Sequence, residues 1–254
     1  MSGIIKQDVL IHGKTEEEKL MLAKAYDAYT FSLKRQMACF TGFLTPADIA
    51  LATMAFKRSD ASFYGGFDEA ERCVLGFGAE GKSEYPICVI KAKGEFKDVS
   101  HRDFLGGLMS LGITRDNIGD IVKSDEYCYI FALSKMADYI AENFTSVKKS
   151  KITSEILECF EVHVEKEFET VKKSVASLRA DAVVAAMFNL SRDDSAEAIK
   201  RGLVSVNYRI FEALDKRLSE GDTVSLKGKG KACIEHIGDL TKKGRLFIEI
   251  KKYK

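Results

Sequence analysis

No run of apolar residues in this 254-residue chain reaches the ~18 needed to cross a bilayer, and the N-terminus has no signal-peptide pattern. A soluble cytoplasmic protein without a membrane partner is therefore expected. Catalytic signatures are equally scarce. The four histidines, His12, His101, His163 and His236, have no Ser or Cys partner in a recognisable nucleophile motif, and Gly-x-Ser-x-Gly does not occur. The six cysteines, Cys39, Cys73, Cys88, Cys128, Cys159 and Cys233, include no Cys-x-x-Cys pair and none at ligand spacing from a histidine. Most sit in apolar runs such as Pro86-Ile87-Cys88-Val89-Ile90, which points to reduced core thiols and to no metal. Gly65-Gly66 is not followed by a helix start with Lys at P-loop spacing. Gly76-Phe77-Gly78-Ala79-Glu80-Gly81 lies between strands with no helix to receive a dinucleotide. No cofactor is expected.

A net charge of +1 conceals an asymmetry: residues 1–177 carry 23 Lys and Arg against 27 Asp and Glu, whereas residues 178–254 carry 16 against 11. A basic C-terminal part on a slightly acidic body suggests a local contact with a polyanion. Upstream, Thr15-Glu16-Glu17-Glu18 is a capping box opening a helix to about Ala38, and Thr45-Pro46-Ala47-Asp48 announces a second through Phe56. Strands are expected at 73–78 and 86–92, a helix at 101–111, strands at 118–123 and 127–132, and a helix at 134–143. This order gives one sheet with helices packed on a face. Tyr127, Tyr129 and Phe131 alternate onto one side of their strand, where base rates favour a core over an RNA-stacking surface. Phe160, Val162 and Val164 extend a pattern of strands over 152–175, with a turn at Lys166-Glu167 and His163 outward.

The stretch from Leu178 to Lys231 is the most informative. It reads as a helix near 178–188 stopped by Asn189, a helix capped by Ser191 with Asp194 three residues on, Gly202 as its stop, a strand at Val204 to Val206, a turn at Gly221-Asp222 and a strand from Thr223 to Lys227. Arg179 and Arg192 lie at the two helix starts, and Lys200 and Arg201 at the end of the second. Lys227, Lys229 and Lys231 alternate with Gly228 and Gly230, leaving the backbone free to approach phosphates. Thr241-Lys242-Lys243-Gly244-Arg245 forms a further basic turn before a last strand, Leu246 to Lys251, in which Phe247 and Ile250 are expected inside.

The residues Arg179, Asp181, Ser191, Arg192, Gly202, Val204, Val206, Asn207, Gly221 and Asp222, in this order, resemble the S4 family of RNA-binding modules. Two positions depart from its usual pattern: Ala180 stands where the family has Leu, and Tyr208 where it has Gly. With Phe43-Leu44-Thr45-Pro46, Phe63 to Phe67 and the Gly112 to Asp120 loop, the chain resembles the YlmH-type subgroup over nearly its whole length. That resemblance implies a second RNA-binding domain in the middle, association with the large ribosomal subunit and tRNA, and a role in ribosome-associated quality control.

The expected architecture is α+β: a mainly helical region over 1–72, a middle ββαββα (RRM/ferredoxin-like) domain over 73–176, and an S4 (αL-type) module with basic C-terminal strands over 177–254. The expected function is non-enzymatic binding of structured rRNA or tRNA by a monomer. The candidate RNA contacts are Arg179, Ser191, Arg192, Lys200, Arg201, Asn207, Lys227, Lys229, Lys231, Lys242, Lys243 and Arg245. S4 modules are often fused to enzymes, but the signatures of pseudouridine synthases, RNA methyltransferases and tyrosyl-tRNA synthetases are missing. Two alternatives stand beside this reading. One is an RNA-modifying enzyme with a cleft around Glu69, Arg72 and Asp120, targeted by its S4 module; the other is an adaptor that recruits a protein through its acidic N-terminal part.

Overall fold

In the computed structural model, which describes residues 4–57, 59–157, 168–240 and 244–253, helices begin where a side chain can cap them. After α1 (Lys6–Leu10), Thr15 accepts from the amide of Glu18 while the Glu18 carboxylate accepts from that of Thr15, starting α2 (Glu16–Arg35). That helix stops earlier than expected, at Gln36 in the left-handed region, which frees residues for β1 (Cys39–Leu44). Thr45 and Asp48 form the same box at α3 (Pro46–Ala55). Strands β2 (Ser62–Tyr64) and β3 (Cys73–Phe77) complete an antiparallel sheet in the order β1-β3-β2. The N-terminal region is therefore a helix-and-sheet layer, packed around Leu22, Tyr29, Phe56 and Phe77. Strand β3, expected in the middle domain, belongs here. The run Cys39 to Leu44 is short and broken by Gly42, so no two-residue period announces β1.

The chain continues as β4 (Ile87–Lys93), α4 (His101–Ser110), β5 (Ile118–Lys123), β6 (Tyr127–Leu133) and α5 (Ala137–Asn143). A two-residue ribbon follows, β7 (Ser146–Val147) with β8 (Ser150–Lys151), and then β9 (Thr153–Leu157). The sheet order is β5-β6-β4-β9, antiparallel throughout. This is the β-α-β-β-α-β ferredoxin-like arrangement, not ββαββα: the strand at 73–77 is replaced by one at 153–157. Alternation places Cys128, Ile130 and Ala132 with α4 and α5 in one core, while Phe131 and Leu133 point the other way and join Phe43, Val74, Tyr85 and Val89.

Arg72 ties the two sheets of this unit together. Its buried guanidinium donates to the carbonyls of Phe43 in β1, Arg115 and Ile118, at 3.0–3.1 Å. Asp120 in turn accepts from the amides of Glu71 and Arg72. Arg115 donates to the carbonyls of Ile118 and Gly119, so the distinctive Gly112 to Asp120 loop is built to receive Arg72. Burial pulls the Arg72 guanidinium down to about 10, with Arg115 adding to the pull and Asp120 opposing it, and the group stays charged at neutral pH.

The described residues fall into two compact units, Met1–Val164 and Glu165–Lys254. The second consists of β10 (Phe168–Val175), α6 (Ala180–Phe188), α7 (Arg192–Lys200), β11 (Val204–Val206), β12 (Arg209–Ile210), β13 (Thr223–Leu226), β14 (Gly230–Leu240) and β15 (Leu246–Tyr253). One antiparallel sheet runs β10-β15-β14-β13-β11-β12. Strand β10 pairs with β15 along its length, so the segment expected to finish a middle-domain hairpin belongs to this unit. The expected strand through Phe160 to Val164, the turn at Lys166 and outward His163 lie outside the described residues. Val183, Val184, Met187 and Ile199 of the helices share one core with Val204, Val224, Ile234, Ile248 and Ile250 of the sheet. Phe247, expected inside, is 49% exposed, because residues three apart on a strand face opposite sides.

In the two-residue turn between β11 and β12, Asn207 and Tyr208 take φ of 49° and 64°. This type I′ geometry favours glycine at the second position, and a tyrosine there costs on the order of 1 kcal/mol.

Arg72→Met should destabilise the N-terminal unit by about 2 kcal/mol or more, since the bonds to the Phe43, Arg115 and Ile118 carbonyls are lost together, although Ile118 and Arg115 each keep a second donor. Urea unfolding followed by far-UV circular dichroism measures it; a loss below about 1 kcal/mol would show that the lock is dispensable.

Candidate nucleic-acid interface

The basic side of the C-terminal unit is organised by one carboxylate. Asp181 lies in the first turn of α6, its side chain 9% exposed, and its oxygens accept from Arg179 Nε at 3.2 Å, Arg179 Nη2 at 3.3 Å and Arg192 Nε at 3.2 Å. The amide of Ala182 donates to it as well, at 2.9 Å. Helix α7 is fixed to α6 at the same point, because the buried Ser195 hydroxyl donates to the Asp181 carbonyl. The start of α6 is closed from the other side, with Ala180 and Asp181 donating their amides to the carbonyls of Lys216 and Leu214. Two guanidiniums from different helices are thus held beside each other with their outer edges in solvent, 43% and 56% exposed. Burial pushes the Asp181 carboxyl up, but hydrogen bonds from Arg179 and then Arg192 outweigh it and hold the group below its ordinary value.

Beside this pair runs a groove of about 420 Å³, with Ala182, Ala185 and Ala186 on its floor and Lys173, Arg192 and Arg245 at its rim. The alanines leave the helix surface low, so a polyanion can come close to cations that the fold has already placed. Lys173 donates to Asn189 Oδ1 at 3.0 Å, and Arg245 to the Ser174 carbonyl at 2.6 Å. Both residues line the groove and are tethered beside it by these bonds.

The twelve candidates from the sequence divide by what their polar atoms do. Arg179, Arg192 and Arg245 meet around the cluster and groove. Ser191 is occupied as the cap of α7, accepting from the amide of Asp194. Asn207 is likewise committed: its amide donates to Asp222 and its oxygen accepts from the amide of Thr223. These bonds let the two side chains shape the unit. Lys200 and Arg201 close α7, with Arg201 paired to Glu197 at 3.4 Å. Lys227, Lys229 and Lys231 stand in and beside the β13–β14 turn, where Gly228 and Gly230 have φ of 81° and 97°. Lys242 and Lys243 lie outside the described residues. Lys173 was missed, because it sits in a strand that sequence periodicity assigned to another domain.

A second surface lies on the ferredoxin-like sheet. Tyr127 and Tyr129 of β6 are half-buried on the side away from α4 and α5, and Phe131 two residues on is fully covered. Lys91 of β4 sits 4.6 Å from the Tyr127 ring centroid and pairs with Glu155 of β9 at 3.2 Å. That side of the sheet is therefore core at one end and a half-open aromatic and basic surface at the other. Among the described residues no group of His, Cys, Asp and Glu could hold a metal ion, and the five described cysteines are free thiols. Arg72 and Asp120 of the cleft expected around Glu69 do come together, but the Arg72 guanidinium and the Asp120 carboxylate are bonded to backbone groups that join the two sheets.

Residues 81–173 match a protein-family model described as "Putative RNA-binding domain in YlmH". Over 248 residues the chain is 27% identical to the ribosome-associated protein quality control protein P2 of Bacillus subtilis (strain 168), spanning 94% of this chain and 96% of that protein. Among solved structures it is similar to the cell division protein YlmH from Streptococcus pneumoniae, with 18% identity and a TM-score of 0.49 over 57% of this chain and 93% of that one.

Asp181→Asn tests the cluster. A carboxyl whose folded value lies below its unfolded one stabilises the fold above the unfolded value, near 4, and loses that contribution as pH falls through the folded value. The variant should be less stable than the native chain by about 1–2 kcal/mol at pH 7, the arginines being partly screened by solvent. The gap should close in acid. Equal unfolding midpoints at neutral pH would remove the carboxylate from its organising role.

Proposed function

We propose, from the family-model match over residues 81–173 and the similarity along nearly the whole chain to the Bacillus subtilis protein, that this chain is a YlmH-type, non-enzymatic RNA-binding protein. Its C-terminal unit acts as an S4 module that grips structured ribosomal or transfer RNA at the large ribosomal subunit, in translation or in the quality control of stalled ribosomes. The observation that carries this reading is the cluster in which buried Asp181 holds Arg179 and Arg192 beside each other at two helix starts. Phosphates along an A-form helix are regularly spaced and its deep groove is closed to side chains, so a protein meets such RNA by matching phosphate positions. Arginines fixed by a buried carboxylate bring that match without an ordering cost at binding. The groove carries Lys173 and Arg245 further along the same strand path, and the glycine-flanked Lys227, Lys229 and Lys231 supply adjustable charge at another edge of the module. The ring-and-lysine surface at Tyr127 supports an auxiliary contact by the middle domain.

The non-enzymatic reading is supported by how the rival cleft is used: Arg72 and Asp120 hold backbone groups. The relative's printed name, which places that protein at the ribosome in quality control, supports the choice of RNA.

Co-sedimentation with separated ribosomal subunits across a salt series tests the proposal. The native chain should pellet with the large subunit, with affinity falling steeply as salt rises. Arg179→Gln with Arg192→Gln should cut affinity at least about tenfold and reduce the salt slope by about two. Binding to neither subunit, or undiminished binding by a folded double variant, would sink the assignment.

A further inference from the structure

We propose that Tyr127, with Tyr129 beside it, is a stacking platform for one or two unpaired nucleotides of RNA, and that Lys93 meets the phosphate that follows. The inference rests on the RNA reading above and deepens it: the middle domain takes a single strand, whereas the C-terminal unit grips the phosphates of structured RNA.

The starting observation is where the ferredoxin-like sheet is covered and where it is not. On the side of β4 and β6 away from α4 and α5, Val89, Phe131 and Leu133 are buried together with Phe43, Val74 and Tyr85, and the Phe67 ring lies 4.8 Å from that of Phe131. Tyr129 rests at the rim of this cluster, and half-buried Tyr127 lies outside it. Coverage therefore ends at Tyr129. Residues two apart on a strand stand ~7 Å from one another, so each ring can take its own base. Covered Phe131 leaves no third place.

The neighbours select the ligand. Lys93 and Lys91 of β4 stand directly opposite Tyr127 and Tyr129. The ammoniums of Lys91 and Lys93 lie 4.6 and 6.0 Å from the Tyr127 ring centroid. Glu155 answers the charge of Lys91 at 3.2 Å. Lys93 is exposed and, among the described residues, has no ion pair. Two cations gathered on one ring repel each other, and an anion arriving beside them relieves that repulsion. The contacts already made are exchangeable: a flexible four-carbon stem lets an ammonium slide from the ring to a phosphate while a base takes the ring face. Both strands are central in the order β5-β6-β4-β9. No backbone edge is open here to pair with a peptide strand, so a ligand is met through side chains alone. Aromatic rings beside cations form a surface on which unpaired bases stack. A duplex keeps its base faces inside its own stack.

The test uses the full chain with Arg179→Gln and Arg192→Gln, which weakens the phosphate grip of the C-terminal unit. Tyr127→Leu, Tyr127→Phe or Lys93→Gln is added to that background. The probes are a short unstructured RNA carrying 2-aminopurine and a blunt RNA duplex. The background chain should still bind the single strand and quench 2-aminopurine. Tyr127→Leu should weaken that binding about tenfold and abolish the quenching, with the salt slope as before; Tyr127→Phe should keep the quenching. Lys93→Gln should reduce the single-strand salt slope by about 0.7. On the duplex, the fall from the native chain to the background should exceed any further fall on adding Tyr127→Leu.

Unchanged single-strand affinity and quenching after Tyr127→Leu would overturn the stacking role, while the arginine effect on the duplex leaves the RNA reading standing. So would displacement of the strand by oligoglutamate as readily as by unlabelled RNA, which would make the surface a site for any acidic chain. If Tyr127→Leu melts far below its background, exposed Lys93 decides: an unchanged salt slope in Lys93→Gln overturns the proposal. If the native chain binds neither RNA, the RNA reading fails and this inference with it.

Discussion

Everything on the basic side of the C-terminal unit depends on Asp181 staying charged while nearly buried. A carboxylate removed from water is costly unless its oxygens are filled, and here they are filled by two guanidiniums and one amide. The same bonds that make the burial tolerable orient the arginines. Ser195, bonded to the Asp181 carbonyl, adds the second constraint by fixing where α7 lies against α6. Stability and recognition are therefore one arrangement. The first unit solves a similar problem with the sign reversed: Arg72 is buried, and three carbonyls from two backbone segments converge on it. One charge in each unit does the positioning, but only Asp181 leaves its partners facing solvent.

Much of this was legible in the sequence wherever a single residue type performs a local task. Thr15, Thr45 and Ser191 marked helix starts because a hydroxyl followed three residues on by an acid can satisfy amides at that point and few others can. Asn189 and Gly202 marked helix stops, and Gly221 a turn, because the left-handed backbone they adopt is closed to most residues. The pairing of strands was much less legible. Strand β10 has the alternation of a strand, but nothing local says that its partner is β15, more than 70 residues later, rather than β9. The same blindness put Cys73 to Phe77 in the middle sheet. A strand's sequence records which face is apolar, not whose edge it joins.

Site residues divided along the same line. Arginines at helix starts could be picked from sequence because charge at that place has a physical meaning. Asn207 and Ser191 were picked with them, yet their polar atoms are used within the fold. A motif contains both the residues that touch a ligand and those that build the support, and the two are indistinguishable until hydrogen-bond partners are known. Lys173 escaped for the opposite reason, since its role comes from the pairing of β10.

The ferredoxin-like sheet shows how coverage decides what an aromatic strand is for. Tyr127, Tyr129 and Phe131 share one side of β6, so sequence can only ask whether that side is core or surface. Phe131 lies under the N-terminal layer with Phe43 and Val74, while Tyr127 lies beyond its edge with Lys91 over its ring. The same strand face is therefore core at one end and surface at the other, and the dividing line is set by where Arg72 anchors β1 against the 115–118 loop. A buried cation bonded to backbone carbonyls thus determines how much of the aromatic face remains open to solvent.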